Sequence, residues 1–191
     1  MVPTLCATLG VKGHRPAVGT RDDKDLAHVF GSVDCATGRL LADTLVTRAK
    51  ALRDARLAGR RQAVSKTRRM TLAFAAHLRR VARAYPARRH PRVALVIDNA
   101  PWHRGRPVAD ALAAHPHLEL CRLPPYSPKL NAIERLWKPL RRRATHNQLF
   151  DTVADLRRAV RAGLRYFQRV PARVRSLIGG CYEKRTVPGG T

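Results

Sequence analysis

The spacing of apolar and polar residues predicts a β-hairpin, a helix and a buried strand in the first half of the chain. Residues 26–34 and 39–47 are rich in Val, Leu and Thr, and they flank a short CATG turn, as in a hairpin. Apolar residues recur at helical spacing over 70–85, and Pro86 ends that segment. The nearly continuous apolar run RVALVID, residues 92–98, is typical of a strand covered on both faces.

The second half predicts another strand between helices. Residues 105–116 form a short helix with Pro107 in its first turn, and residues 118–124 form the next strand. A strand, a helix and a strand of these lengths make a right-handed crossover, which places the two strands side by side and parallel. Amphipathic patterns predict further helices from about Asn131 and over 151–168.

Charge narrows the class of partner. The 191 residues carry 38 Lys and Arg against 13 Asp and Glu, a formal net charge of +25. The planar guanidinium group of arginine can donate two hydrogen bonds to phosphate oxygens, and neutralising nucleic-acid phosphates releases bound counterions. The composition therefore predicts a nucleic-acid partner. Arg-rich composition inherited from a GC-rich genome is the alternative explanation. Residues 48–69 are especially basic, which predicts a helical or flexible segment extending from the domain.

The chain shows no sequence pattern of a membrane or secreted protein. No apolar run approaches about 18 residues, so no transmembrane span is predicted, and the N-terminus has no signal-peptide pattern. Its four cysteines are far apart and form no CxxC, as expected of reduced thiols. We therefore expect a soluble cytoplasmic protein, associated with the nucleoid if DNA is its partner.

Two acidic residues stand at junctions where chemistry is often found. Asp98 ends the apolar strand, and Glu134 opens a helix that returns to the same edge of the sheet. Two converging carboxylates bind Mg²⁺ or Mn²⁺, and paired ions of this kind clamp the oxygens of an in-line phosphoryl transfer. Each residue also has a structural explanation: Asp98 as the cap of a turn, and Glu134 as the partner of Asn131 in a capping box.

Three aromatic residues lie close in sequence to Asp98 or Glu134, and the sequence alone does not decide their roles. His103 is a candidate for orienting a phosphate or a water molecule, although a histidine in a polar loop needs no function. Trp102 and Trp137 are interpreted as packing anchors in preference to platforms for stacked bases.

The stretches VIDNAPWHR and LPPYSPKLNAIERLWKPLRR, together with the hairpin VFGSVDCATGRL, resemble the catalytic domain of mariner-like insertion-sequence transposases, in the DDE endonuclease superfamily. The resemblance covers residues of about 26–170. It implies an α/β, RNase H-like mixed sheet flanked by helices. It also implies metal-dependent cleavage of transposon-end phosphodiesters and joining of the freed 3′-OH to target DNA. Asp98 matches the second acidic residue of the family and Glu134 the third, so both are the expected catalytic residues and ligands of Mg²⁺ or Mn²⁺.

The first acidic residue of the family is expected upstream of the segment that reads Gly13-His14-Arg15-Pro16 here, and no acid precedes Gly13. The resemblance therefore predicts an N-terminally truncated domain whose first strand is missing or incomplete, and which is inactive as a transposase if no other acid replaces that Asp. Asp34 is the early acid on a predicted strand, but its position at a turn explains it without metal binding.

These expectations define three regions and two functions. Residues 1–25 are an irregular N-terminal remnant, residues 26–170 the RNase H-like domain, and residues 171–191 a C-terminal tail. The first function is a DNA transposase that acts on transposon ends and target DNA, as a homodimer or larger synaptic assembly. The alternative is a non-catalytic basic DNA-binding remnant of a transposase.

Overall fold

The computed structural model describes residues 26–47 and 65–179. It begins with the predicted antiparallel hairpin of strands β1 (Leu26–Val33) and β2 (Leu40–Thr47). The turn between them ends at Gly38, whose φ of +75° lies in the left-handed region that glycine tolerates best. A Cβ at this position would lie 2.1 Å from the Pro171 carbonyl oxygen, so the turn is also tightly packed.

Helix α1 and a parallel strand pair follow the hairpin. Helix α1 (Lys66–Ala84) begins earlier than predicted because the Ser65 side chain accepts a hydrogen bond from the Arg68 amide, at 3.2 Å. Strands β3 (Val93–Ile97) and β4 (Leu118–Arg122) are parallel and connected through helix α2 (Arg106–Ala113), as the crossover pattern predicts.

The remainder of the described chain is helical. Helices α3 (Glu134–Ala144) and α4 (Val153–Arg169) were both expected. Thr152 caps α4 by accepting a hydrogen bond from the Asp155 amide at 3.1 Å. Helix α5 (Pro171–Ile178) occupies the start of the segment expected to be a tail, and its Val174 is fully buried.

The hairpin lies between two hydrophobic cores because its two faces are both apolar. Phe30 and Leu41 pack on α1, β3, β4 and α2, whereas Ala27 and Leu40 pack on α3, α4 and α5. Side chains alternate between the two faces along each strand. Helices thus cover both faces of the hairpin, in the layered α/β arrangement expected from the sequence.

The strands do not form one continuous ladder within the described residues. Strand β1 pairs with β2 and β3 pairs with β4, with no hydrogen-bonded pairing between the two sheets. The expectation of a missing or incomplete first strand concerns residues 1–25, which lie outside the described residues. The prediction that both faces of β3 are covered was wrong: Ala94 is exposed and Val96 is 38 % exposed, because they line an open cleft between β3 and β1.

Several predictions concern parts of the chain outside the described residues. These are the irregular residues 1–25, most of the basic stretch 48–69, Cys6 and Cys181. Cys35 is exposed and Cys121 is partly buried. In the described ranges, no helix is both long and apolar enough to cross a membrane.

Candidate active site at the carboxyl end of strand β3

Asp98 follows the last residue of β3 and points into an exposed turn. Its Oδ1 accepts a hydrogen bond from the Ala100 amide at 3.0 Å, which is the predicted turn-capping contact. The side chain nevertheless remains 55 % exposed. Because this contact uses Oδ1, capping the turn leaves the carboxylate able to bind a cation.

His103 holds Asp98 from the opposite side of the turn. Its Nδ1 lies 3.2 Å from both the Asp98 carbonyl oxygen and the Asp98 Oδ1. Both oxygens are acceptors, so Nδ1 carries the proton and donates. Burial, with the ring packed on Phe74 at a centroid distance of 4.2 Å, lowers the pKa of His103, and the Asp98 charge opposes this only in part. The hydrogen bond from His103 therefore fixes the Asp98 backbone at the end of β3, with the imidazole ring beside the carboxylate.

Glu134 is the first residue of α3, and the predicted capping box was wrong. Ile133 occupies the N-cap position and no side chain caps the helix. A short 3₁₀ helix (Pro128–Leu130) precedes it, and burial of Ala132 and Ile133 fixes how the chain enters α3. The Trp137 indole Nε1 donates to Glu134 Oε1 at 3.2 Å, so this carboxylate is oriented from within its own helix.

Asp98 and Glu134 line the same cleft, which has a volume of about 400 Å³. Its walls are β1 and β3, and the start of α3 closes one side. His103, Trp102 and Asn131 also line the cleft. The sequence predicted that the end of β3 and the start of α3 lie at the same edge of the fold. The presence of Asp98 and Glu134 in one cleft agrees with that prediction.

A polar network missed by the sequence reasoning supports the cleft wall. Ser32 Oγ lies 2.8 Å from His77 Nε2, and His77 Nδ1 donates to Asp43 Oδ2 at 2.7 Å. Arg80 also donates to Asp43. Burial alone would raise the pKa of Asp43, but the hydrogen bond from His77 and the positive charges beside it lower it overall. This network fastens both hairpin strands to α1 through a His77 side chain that is 2 % exposed.

Asp34 is a turn residue and does not line the cleft. Its Oδ1 accepts hydrogen bonds from the Ala36 and Thr37 amides at 2.9 and 3.2 Å, and its Oδ2 accepts from the Tyr85 hydroxyl at 3.1 Å. Burial alone would raise the pKa of Asp34, yet these hydrogen bonds lower it overall. All of these contacts stabilise the hairpin turn, which is the structural explanation given by the sequence.

The chemistry of the two carboxylates fits a hard divalent cation. Mg²⁺ is commonly bound by one or two carboxylates, with water and substrate phosphates completing its shell. Across residues 26–47 and 65–179, no group of three or more His, Cys, Asp or Glu side chains could hold a metal ion. Asp98 and Glu134 are carboxylates of the type that binds such a cation, and both line the cleft.

Comparisons with known proteins agree with this arrangement. Residues 54–157, more than half of the chain, match the family model described as DDE superfamily endonuclease. The insertion element IS630 uncharacterized 39 kDa protein of Shigella sonnei is 32 % identical over 88 residues, covering 46 % of this chain and 25 % of that protein. The uncharacterized protein y4pE/y4sA of Sinorhizobium fredii is 31 % identical over 86 residues, covering 45 % and 59 %. The match thus spans less than two thirds of either relative.

Solved structures of Mos1 transposase share the fold. A Mos1 paired-end complex with the left transposon end has a TM-score of 0.50 and 17 % identity, covering 95 % of this chain and 53 % of that one. A Mos1 mariner paired-end complex with Mn has a TM-score of 0.51 and 17 % identity, covering 96 % and 53 %. At this identity the likeness establishes the RNase H-like fold alone. The family match and this fold confirm the resemblance to the DDE endonuclease superfamily seen in the sequence: the chain belongs to the DDE superfamily endonucleases.

Proposed function

We propose that this domain cleaves DNA phosphodiesters by metal-dependent phosphoryl transfer, with Asp98 and Glu134 as the catalytic carboxylates. The observation that carries the proposal is that the two residues, far apart in sequence, line one cleft at the end of β3. The net charge of +25 supports a polyanionic substrate. DNA is the favoured partner because the chain is similar to Mos1 transposase, which has been solved with a transposon end.

The roles of the residues follow from their contacts. Asp98 and Glu134 would hold Mg²⁺ or Mn²⁺, which supplies positive charge to the scissile phosphate and to the attacking and leaving oxygens. The Ala100 amide donates to the Asp98 carboxylate, His103 donates to the Asp98 backbone carbonyl, and Trp137 donates to the Glu134 carboxylate. Fixed carboxylates need no reorganisation when the substrate enters, which favours the transition state.

The full reaction that we propose has two steps, each an in-line displacement at phosphorus. Water first attacks a phosphodiester at the transposon end, breaking the bond to the 3′ oxygen and freeing a 3′-OH. That hydroxyl then attacks a target phosphodiester, forming a new linkage and releasing the 3′-OH of the target strand. We propose that this reaction takes place in a dimer or larger assembly that holds two transposon ends.

Nicking of a labelled transposon-end duplex with Mg²⁺ or Mn²⁺ tests the proposal. Asp98→Asn and Glu134→Gln should each abolish metal-dependent nicking while leaving DNA affinity nearly unchanged. Asp110→Asn is the matched control, because Asp110 is an exposed acid on α2 outside the cleft and should retain activity.

Two results would count against this function. Metal-dependent nicking that survives both cleft substitutions would exclude Asp98 and Glu134 as the catalytic pair. Binding of DNA without any nicking by the unsubstituted protein, with either metal, would favour the non-catalytic DNA-binding alternative.

A further inference from the structure

A second concave surface lies on the other side of α3 from the cleft. It is a groove of about 900 Å³ among α3, α4 and α5. Six of its lining side chains are cationic and one, Glu134, is acidic. The six cationic residues define the basic groove: Lys129, Arg135, Lys138, Arg142, Arg143 and Arg173. A concave surface with this imbalance favours a polyanion over a neutral ligand.

One wall of the basic groove is a stripe of cations along α3. Arg135, Lys138 and Arg142 are spaced three and four residues apart, so they share one helix face. With a rise of about 1.5 Å per residue, this stripe is roughly 10 Å long. Successive phosphates of one DNA strand advance about 3.4 Å along the duplex axis, so the stripe matches roughly three of them.

Two other cations of the basic groove, one on α3 and one on α5, are held in place by Tyr166 of α4. Arg143 lies over the Tyr166 ring, 3.7 Å from its centroid, and Arg173 Nη1 donates to the Tyr166 hydroxyl at 2.9 Å. These contacts fix two guanidinium groups before any ligand arrives, which reduces the entropy lost on binding. In contrast, Lys138 and Arg142 are exposed, with no hydrogen bond or ion pair inside the described ranges.

The basic groove is continuous with the candidate active site. Asn131 and Glu134 line both the groove and the cleft. A nucleic-acid strand with a phosphate beside Glu134 can therefore extend directly along α3 into the groove. This shared boundary distinguishes the groove from the many other arginines on the surface.

We propose that the basic groove binds the sugar–phosphate backbone of the duplex segment adjoining the scissile phosphate, and so sets the direction in which DNA leaves the cleft. This inference rests on the proposed function for its substrate, and it adds the surface that holds that substrate. A second copy of the chain is disfavoured as the occupant of this groove, because a chain with 13 acidic and 38 basic residues offers few carboxylates to pair with the six cations there.

The salt dependence of DNA affinity tests the groove directly. The double variant Lys138→Ala/Arg142→Ala removes two predicted phosphate contacts, so the slope of log K against log salt should become less steep by about 2. The same relation predicts a loss of roughly 8-fold per contact at 0.1 M salt, or ~60-fold for the pair. Affinity is measured without divalent metal, using the full chain and a duplex that extends beyond the cleft.

The matched control is Arg157→Ala/Arg161→Ala on α4. Both residues are exposed, neither lines the cleft or the groove, and the net charge falls by the same two units. The control should keep nearly the full slope and affinity. Equal losses in the two double variants would overturn the proposal, because overall charge would then explain them.

Further measurements separate the remaining outcomes. Thermal unfolding checks that the groove variant folds, and Lys138→Gln/Arg142→Gln provides the same charge change with longer side chains. A shift in oligomeric state with unchanged DNA affinity would identify a second copy as the occupant and refute the proposal.

At saturating DNA, the groove variant should still nick. Unchanged DNA affinity with normal nicking would reject the groove alone, whereas nicking that survives Asp98→Asn and Glu134→Gln would reject the proposed catalytic pair.

Discussion

The contact between β1 and α3 should position Glu134, the proposed catalytic residue, and Gly31→Ala perturbs that contact selectively. A Cβ at residue 31 would lie 2.7 Å from Ile133 Cδ1 and 2.9 Å from Trp137 Cη2. Neither separation is tolerated, so α3 or the Trp137 ring must move. Because Gly31 lines the cleft and Trp137 donates to Glu134 Oε1, displacing the Trp137 ring should displace the Glu134 carboxylate as well.

The magnitude follows from two opposing effects. Overpacking a filled core costs about 1–3 kcal/mol, whereas replacing Gly by Ala recovers about 0.4–1 kcal/mol by restricting the unfolded chain. We expect a net destabilisation of ~1–2 kcal/mol, which lowers the melting temperature by about 2–8 °C. Misplacement of Glu134 should slow metal-dependent nicking by on the order of 10–100-fold.

Thermal unfolding and tryptophan fluorescence measure the two parts of this prediction. The chain has two tryptophans, so a Trp102→Phe background isolates the emission of Trp137. Ile133→Val removes the Cδ1 methyl group nearest the new Cβ, so Gly31→Ala and Ile133→Val together should cost less than the sum of the single changes. A Gly31→Ala protein with unchanged melting temperature and unchanged Trp137 emission would refute the reasoning.

Two further predictions concern the hairpin. Asp43→Asn should destabilise the protein by about 1–3 kcal/mol at neutral pH, because it removes the carboxylate that accepts hydrogen bonds from His77 and Arg80. Since the pKa of Asp43 is lowered by folding, its stabilisation is present above the unfolded value of about 3.9 and is lost as the pH falls through the folded value. Denaturant titrations below pH 4 should therefore show a weaker pH dependence in the variant, and an identical dependence would contradict the assignment. Burial, with the Asp34 charge, raises the pKa of Tyr85 to about 12. Tyr85→Phe should remove one late-titrating phenol from the alkaline absorbance spectrum, and an unchanged late phase would exclude Tyr85 as its source.

The elements that the sequence predicted well are those defined by local patterns. The hairpin, the parallel pair and helices α1 to α4 each have their own periodicity and turn residues, so they are legible without knowledge of the tertiary structure. The placement of Asp98 and Glu134 was also predictable. It follows from a topological rule about where parallel strands end.

The features that the sequence did not predict depend on distant neighbours. The Asn131-x-x-Glu134 spacing matches a capping box, but α3 begins at Glu134 because the preceding residues form a 3₁₀ helix and a buried turn. The network from Ser32 through His77 to Asp43 joins residues 45 and 34 positions apart, and no local signal links them. The exposure of Val96 depends on the cleft, which a single strand does not reveal.

Anomalous diffraction from crystals of the protein grown with Mn²⁺ and a transposon-end duplex is the most direct test of the central claim. The claim predicts a Mn²⁺ peak in the cleft, within coordination distance of oxygens from both Asp98 and Glu134 and of a DNA phosphate. In the Asp98→Asn protein that peak should weaken or disappear. A well-ordered duplex in the cleft with no Mn²⁺ peak between the two carboxylates would contradict it.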